Sequence, residues 1–246
     1  MSYSIILPTV NEQGHIVNLI HKIIKNFKNK SNKFEIIIVD DNSTDGTVSS
    51  IKKSFTKNKK IKVFKRLNKK KSLPKSISLG ISKSKYENII WLDADFQHPP
   101  EYIKLLLKYS KKYDVVFFSR FLKKSIRYFD IKPKAKEFNE NQSVFFNKMC
   151  NLFFYKDITD YTSGYICIKK KVLKNYSLTG YYGEYFISLI LYCKKKNLKI
   201  LELPFKESIR KTGYSKTLGK NKIHYLFICL NYFLILFKNI MLKIFF

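Results

Sequence analysis

The chain predicts an α/β fold, a mainly parallel sheet flanked by helices, and three observations point to it. From residue 3 to residue 119, short apolar runs alternate with helical patterns, the pattern of βαβ units. One helical pattern is clear: Ile16, Leu19, Ile20, Ile23, Ile24 and Phe27 fall on one face. The unusual polar residues gather just after the strand-like runs, where open parallel sheets bind ligands.

Taken in order, residues 3–7 read as a first strand. They follow no basic n-region, so this start is not read as a signal peptide. Residues 34–39, 61–64, 88–92 and 115–119 supply the next four strands, joined by right-handed crossovers. Residues 123–142 are polar and charged and read as a mobile loop over the sheet's mouth, leading into a helix from Val144. A strand over 165–168, a helix over 184–194, a strand over 199–203 and a basic loop over 203–217 complete the reading.

The last segment is apolar. Its longest uncharged run, residues 225–237, has 13 residues, short of the roughly 20 that span a bilayer. Lys220, His224, Asn231 and Lys238 form a narrow polar stripe on an otherwise apolar helix. Three readings stand: packing on the domain's own core, lying in a membrane interface, or spanning with snorkelling lysines. Lysines 211, 216, 220 and 222 precede it, an approach suited to an anionic cytoplasmic leaflet. The expected division is residues 1–217 for the α/β domain and 218–246 for an amphipathic or hydrophobic membrane-associating helix.

Of the 246 residues, 48 are basic and 18 acidic, a net charge of +30. Such a charge suggests a nucleic-acid or anionic-membrane binder. Only Arg66, Arg120, Arg127 and Arg210 are arginines, whereas phosphate readers favour the arginine fork. No recognition-helix, zinc-finger or RNP-like motif is present, so no nucleic-acid partner is expected. Cys150, Cys167, Cys193 and Cys229 lack metal-site spacing and read as reduced thiols.

The acids are more informative than the bases. Asp93-Ala94-Asp95 follows the run Ile89-Ile90-Trp91-Leu92. Two carboxylates at a strand end suit a hard cation, Mg²⁺ or Mn²⁺, with Gln97 as a neutral oxygen. The bland alternative is a solvated acidic turn before Pro99. Asp40-Asp41-Asn42-Ser43-Thr44-Asp45 could cap a helix, yet two aspartates straight after a buried strand exceed that need. Asp40, Asp41 and Glu12 are therefore candidate nucleobase or ribose acceptors. Asp160 has a bland reading as a turn residue, Glu184 as a plain helix residue and His98 as a structural group. Eight of the acids (Glu12, Asp40, Asp41, Asp45, Asp93, Asp95, Asp160, Glu184) fall in or near these clusters.

These residues carry a resemblance. Leu7-Pro8-Thr9-Val10-Asn11-Glu12, the segment from Ile38 to Thr47 and Leu92-Asp93-Ala94-Asp95-Phe96-Gln97-His98-Pro99-Pro100-Glu101 match family 2 glycosyltransferases. So, in the same order, do Ser119-Arg120-Phe121, Asp160-Tyr161-Thr162-Ser163-Gly164-Tyr165 and Arg210-Lys211-Thr212-Gly213-Tyr214-Ser215-Lys216. The chain most resembles the polyprenyl-phosphate sugar synthases, the dolichol-phosphate mannose synthase group.

That resemblance implies a GT-A fold and inverting hexose transfer, most simply of mannose, from a nucleotide sugar to a polyprenyl monophosphate. GDP-mannose is the favoured donor and UDP-glucose the second. The setting is the cytoplasmic face of a membrane. It implies that Pro8, Thr9, Glu12, Asp40 or Asp41, Asp93, Ala94, Asp95 and Lys216 bind the donor. Asp93, Asp95 and Gln97 would hold Mg²⁺ or Mn²⁺. Arg120, with Arg127 and Ser143, would hold the acceptor phosphate, and Arg210 would bridge charge in the transition state. Ser143 and Asn147 match acceptor-side positions more loosely. Val10 stands where the family motif has Tyr, and residues 123–142 depart from its usual pattern. The alternatives are glucosyl transfer to the same carrier, or surface-polysaccharide synthesis with a hydroxyl acceptor and Asp160 as base.

Overall fold

The computed structural model describes residues 1–27, 32–67, 70–127, 138–208 and 222–245. Seven strands form one sheet in the order β3-β2-β1-β4-β6-β5-β7. They are β1 (Ser2–Thr9), β2 (Lys33–Asp40), β3 (Ile61–Lys65), β4 (Asn88–Trp91), β5 (Val115–Ser119), β6 (Ile166–Lys169) and β7 (Ile200–Pro204). All neighbouring pairs are parallel except those of β6, which runs antiparallel to both β4 and β5. The expected sheet is therefore mainly parallel with one reversed strand inserted.

The helices are α1 (Ile16–Lys25), α2 (Thr47–Phe55), α3 (Leu73–Lys83), α4 (Ile103–Tyr109), α5 (Phe138–Phe153), α6 (Tyr185–Lys195) and α7 (Lys222–Phe245). α1 buries Ile16, Leu19, Ile20 and Ile23, the stripe its sequence announces. α3 starts where the Ser72 hydroxyl accepts from the Lys75 N–H and Pro74 occupies the first turn. α5 begins at Phe138, six residues before the expected Val144. Residues 138–142 are thus helical, contrary to the loop read there; residues 128–137 of that loop, and the separate basic loop beyond 208, lie outside the described residues.

Alternation along the strands divides the core in two. Ile6, Trp91, Val115 and Phe117 face a layer made by α3, α5, α6 and α7. Ile5, Leu7, Val116 and Phe118 face a layer containing α1, α2 and α4. Strands buried on both faces explain why they read as continuous apolar runs rather than alternating ones. Gly80 of α3 lies so close to β1 that a Cβ there would meet Ile6 Cγ2 at 2.4 Å. Cys150, Cys167 and Cys193 are buried free thiols, each pushed up to about 12 by burial.

α7 is two-faced. Ile228, Tyr232 and Leu236 are buried against the domain, each contributing about 1.5–3 kcal/mol relative to exposure. Polar contacts tie down its length: His224 with the Tyr182 hydroxyl at 3.0 Å, Asn239 with Ser188 at 2.8 Å, Lys243 with the Phe153 carbonyl at 2.7 Å. Leu226, Leu230, Leu234 and Phe237 on the opposite side are exposed. Residues 223–243 are long and apolar enough to cross a membrane by length and composition.

Candidate active site

The topology delivers one set of loops to one rim. Parallel strands end there, so the residues after β1, β2, β4, β5 and β7 all reach it. β6 runs the other way, so the residues that precede it, 160–165, reach the same rim. Every acidic cluster picked from the sequence lies on one of these loops or on the loop before α6.

The loops after β1 and β2 are stitched together. Asn11, with φ 55°, donates its N–H to Ser43 Oγ and accepts the Thr44 N–H at its side-chain oxygen, both at 2.9 Å. The Glu12 N–H donates to Thr47 Oγ1 at 2.8 Å, and the Gln13 N–H to Asp45 at 3.0 Å. Asp45 is partly desolvated, yet bonds from Thr47 and the Gln13 N–H hold its carboxyl below the usual range. Glu12 is buried and pairs with His15 at 2.8 Å. Thr9 is a hinge of this wall: its hydroxyl donates to the Val39 carbonyl and its own carbonyl accepts from the Asp41 N–H. Pro8 stands beside Val39 in the register.

Asp40 and Asp41 differ in what they bind. One Asp40 oxygen accepts from the Ser43 N–H at 3.1 Å. One Asp41 oxygen takes the Arg66 guanidinium at 2.5 Å, the Ser72 N–H at 2.8 Å and the Ser76 hydroxyl at 3.3 Å. The second oxygen of each is buried without a hydrogen bond among the described residues. Asp40 is 1% and Asp41 3% exposed. Bare buried carboxylate oxygens are costly, and ligand N–H or O–H groups would relieve them.

The Asp93–His98 turn is held by its own backbone. Phe96 sits at φ 71°. The Asp93 N–H donates to His98 Nδ1 at 3.0 Å, so that nitrogen is an acceptor. The His98 ring stacks on Tyr165, whose hydroxyl donates to the Pro99 carbonyl at 3.0 Å. His98 thus pins the turn, as the bland reading had it. Asp95 is buried and accepts from the Gln97 N–H at 2.9 Å, while the Asp93 side chain is 44% exposed. Ala94 is buried between them. The Gln97 carbonyl receives the Ser208 N–H at 3.3 Å, so the segment after β7 closes on this turn. Among the described residues, no group of three or more His, Cys, Asp or Glu could hold a metal ion. Two carboxylates and an amide fit Mg²⁺ or Mn²⁺ that draws its other ligands from phosphate oxygens.

The far side is built on Arg120. Its Nε donates to Asp160 Oδ2 at 2.8 Å, and one terminal nitrogen to Asp160 Oδ1 at 2.9 Å and Thr162 Oγ1 at 2.6 Å. The second terminal nitrogen makes no hydrogen bond among the described residues, which leaves one edge of the fork for a ligand. Thr162 is in turn held by Ser143 at 3.0 Å and Asn147 at 2.9 Å, both from α5. Arg127 Cζ and Arg120 Cζ lie 5.9 and 5.5 Å from the Phe121 ring centroid. Both arginines therefore belong to one corner.

Asp160 is fully buried. Burial works against its charge, but Arg120 and the Arg120 and Thr162 N–H groups outweigh it and hold its carboxyl below the usual range. A carboxylate so engaged is a poor proton acceptor, which weighs against its reading as a base. Glu202 of β7, raised by burial, holds the turn from behind by accepting the Thr159 N–H and hydroxyl and the Asp160 N–H. Glu184 is no plain helix residue: its buried carboxylate, raised by burial, accepts the Tyr181 and Tyr182 N–H groups at 2.6 and 2.8 Å. Arg210 and Lys216 lie outside the described residues.

The sequence did not point to Arg66 or Glu202 as parts of this site, and it placed Thr162 in a motif without giving it a role. Arg66 could have been suspected as one of four arginines in a chain of lysines.

The model of the family described as Glycosyl transferase family 2 matches residues 4–177. The dolichol-phosphate mannosyltransferase of Pyrococcus furiosus is 29% identical over 227 residues, 92% of this chain and 62% of that enzyme. The chain thus spans less than two thirds of that relative's length. The dolichol-phosphate mannosyltransferase of Saccharomyces cerevisiae is 25% identical over 92% of this chain and 85% of its own. Glucosyl-3-phosphoglycerate synthase of Mycobacterium tuberculosis, crystallised with Mn²⁺ and uridine diphosphate, superposes with a TM-score of 0.66 at 14% identity, over 96% of this chain and 79% of that one. Its likeness is one of fold. The chain belongs to glycosyltransferase family 2 and is a glycosyltransferase of GT-A architecture.

Proposed function

We propose that the enzyme transfers a hexose, mannose foremost, with inversion, from a nucleotide sugar to a polyprenyl monophosphate at the cytoplasmic face of a membrane. The observation that carries this is Arg120, held bidentately by a buried Asp160 with one edge of its fork left over. A phosphate monoester is mostly dianionic at neutral pH, so as acceptor it needs placement and no base. A hydroxyl acceptor would need a base, and Asp160, spoken for by Arg120, makes a poor one. The names of the two dolichol-phosphate mannosyltransferases support the same acceptor class.

In this reading Glu12, Asp40 and Asp41 hold the nucleoside, the bare oxygens of the two aspartates accepting from base or ribose. Pro8 and Thr9 form the adjoining wall, and Lys216 binds donor phosphate. Asp93, Asp95 and Gln97 hold Mg²⁺ or Mn²⁺, which when bound neutralises charge gathering on the leaving diphosphate. Arg120, with Arg127 and the Ser143–Thr162 pair, orients the acceptor oxygen toward the anomeric carbon. Arg210 stands across from it on the phosphates. Screening GDP-mannose, UDP-glucose and UDP-GlcNAc with a prenyl phosphate should put sugar in the lipid phase for GDP-mannose. Lipid product from UDP-glucose alone would move the reading to the glucosyl alternative, and transfer only to soluble glycans would remove it.

We assign residues 218–246 to membrane association and 1–217 to transfer. The exposed apolar side of α7 continues onto α5, where Phe145 and Leu152 are also exposed. Because α7 is packed on the domain from His224 to Lys243, this side lies along a surface, as an interfacial helix does. The Leu226→Glu/Leu230→Glu double variant should lose binding to anionic vesicles in a flotation assay and keep its melting temperature. Retained binding would reject this face.

A further inference from the structure

Among the described residues, two buried arginine–aspartate pairs stand on this rim, and they are built in opposite ways. Arg120 sets two nitrogens on the two oxygens of Asp160. The carboxylate is used up, and the arginine keeps an edge for an anion. Arg66 sets one nitrogen on one oxygen of Asp41, while the other Asp41 oxygen is buried with no hydrogen bond among the described residues. Here the carboxylate is the partner with a place left over.

The uneven pairing is enforced from several elements. The Arg66 N–H donates to the Asp40 carbonyl at 2.7 Å, which roots the side chain at the carboxyl end of β2. The nitrogen that meets Asp41 also donates to the Ser72 carbonyl at 3.2 Å and the Ser76 hydroxyl at 3.3 Å, so the guanidinium is fixed against the first turn of α3. The Ser72 N–H and the Ser76 hydroxyl join it on the same Asp41 oxygen. The Asp41 N–H is held in turn by the Thr9 carbonyl at 2.9 Å. Three donors on one oxygen fix the rotation of the carboxylate. A pair that served stability alone would gain from the two-pronged geometry, and it would not leave a buried acceptor without a donor.

We propose that Arg66 is a positioning residue of the donor site: it turns Asp41 so that the bare oxygen accepts one N–H or O–H group of the donor's nucleoside. The proposal rests on a nucleotide-sugar donor with Asp41 against its nucleoside. The guanidinium compensates the buried charge and draws the other donors onto the far oxygen, so the oxygen left for the ligand is always the same one.

The test is calorimetric. Pyrophosphate, GDP and UDP are titrated with Mn²⁺ into the full chain, as wild type, Arg66→Gln, Arg66→Lys and Ser76→Ala. The nucleotide that wild type binds more tightly is then replaced by its 2′-deoxy, 3′-deoxy and base N-methyl analogues, which delete one donor group each. Arg66→Gln should raise the Kd of the parent nucleotide by about tenfold, the size of one hydrogen bond to a charged group, and leave pyrophosphate unchanged. One analogue, already about tenfold weaker in wild type, should lose nothing more in Arg66→Gln. That failure of additivity names the group Asp41 accepts and decides between ribose and base. Arg66→Lys should bind like wild type, because the pair uses a single nitrogen that a lysine can supply.

If the Arg66→Gln loss adds in full to the loss of every analogue, Arg66 only packs the wall and the proposal fails. An equal loss for pyrophosphate, or wild-type nucleotide affinity in Arg66→Gln, overturns it too. Should Arg66→Gln not fold, Ser76→Ala takes its place: it removes one donor from the same oxygen, and the same analogue should be the one that escapes a loss of about fivefold. Wild type that prefers its nucleotide to pyrophosphate keeps the donor reading, whatever the variants do. Wild type without that preference loses the reading and the proposal together.

Discussion

Replacing Asp95 with Ala is expected to lower sugar transfer by about 10³-fold, the kinetic equivalent of about 4 kcal/mol of charge stabilisation. The fold should survive. Asp95 is buried and accepts from the Gln97 N–H, and the turn has other ties in His98, Tyr165 and Ser208. The variant should therefore melt close to wild type while excess Mg²⁺ or Mn²⁺ fails to restore transfer. Asp93, more exposed, should respond the same way in rate and even less in stability. Full activity of Asp95→Ala would remove both carboxylates from the chemistry.

Replacing Asp160 with Asn should have the largest effect on stability. Asp160 is fully buried and neutralises Arg120, whose side chain is 19% exposed. Removing one partner of such a pair costs about 3–5 kcal/mol because the other charge is left uncompensated. In a chain of this size that is roughly a 10 °C fall in melting temperature. Transfer should fall as well, since an Asn side chain can accept only one of the two bonds that fix the Arg120 fork. The same pair sets an acid limit. The Asp160 carboxyl is held below its unfolded value, so its contribution is complete above about pH 4, the unfolded range. It is lost as pH falls through the lower folded value. Urea unfolding between pH 3 and pH 7 should show wild type losing this increment on acidification and Asp160→Asn lacking it throughout.

The sequence showed much of this architecture, for physical reasons. Strands buried on both faces must be apolar throughout, so residues 34–39 and 115–119 announced themselves, as did the α1 stripe. The metal-binding turn was legible because two carboxylates after a buried run have few structural uses. Strand direction was not legible: Ile166–Lys169 is as apolar as its parallel neighbours, and nothing local tells which way it runs. The start of α5 was hidden by the polar sequence Asn139, Glu140, Asn141 and Gln142, which reads as a loop; only the fold brings the Gln142 amide to Cys229 of α7. Glu202 sits between Leu201 and Leu203 and reads as the outward position of an ordinary strand; only the fold puts the Thr159–Asp160 turn against it.

The reversed strand has a consequence for how the chain is made. β6 lies between β4 and β5, yet β5 is synthesised before it. β4 therefore waits, with one edge open, until residues 166–169 arrive. Its sequence, Asn-Ile-Ile-Trp, is an apolar strand edge of the kind that recruits other chains. Synthesis halted between β5 and β6 would leave the sheet with a missing slat at its centre, and aggregation of nascent or truncated chains should start there.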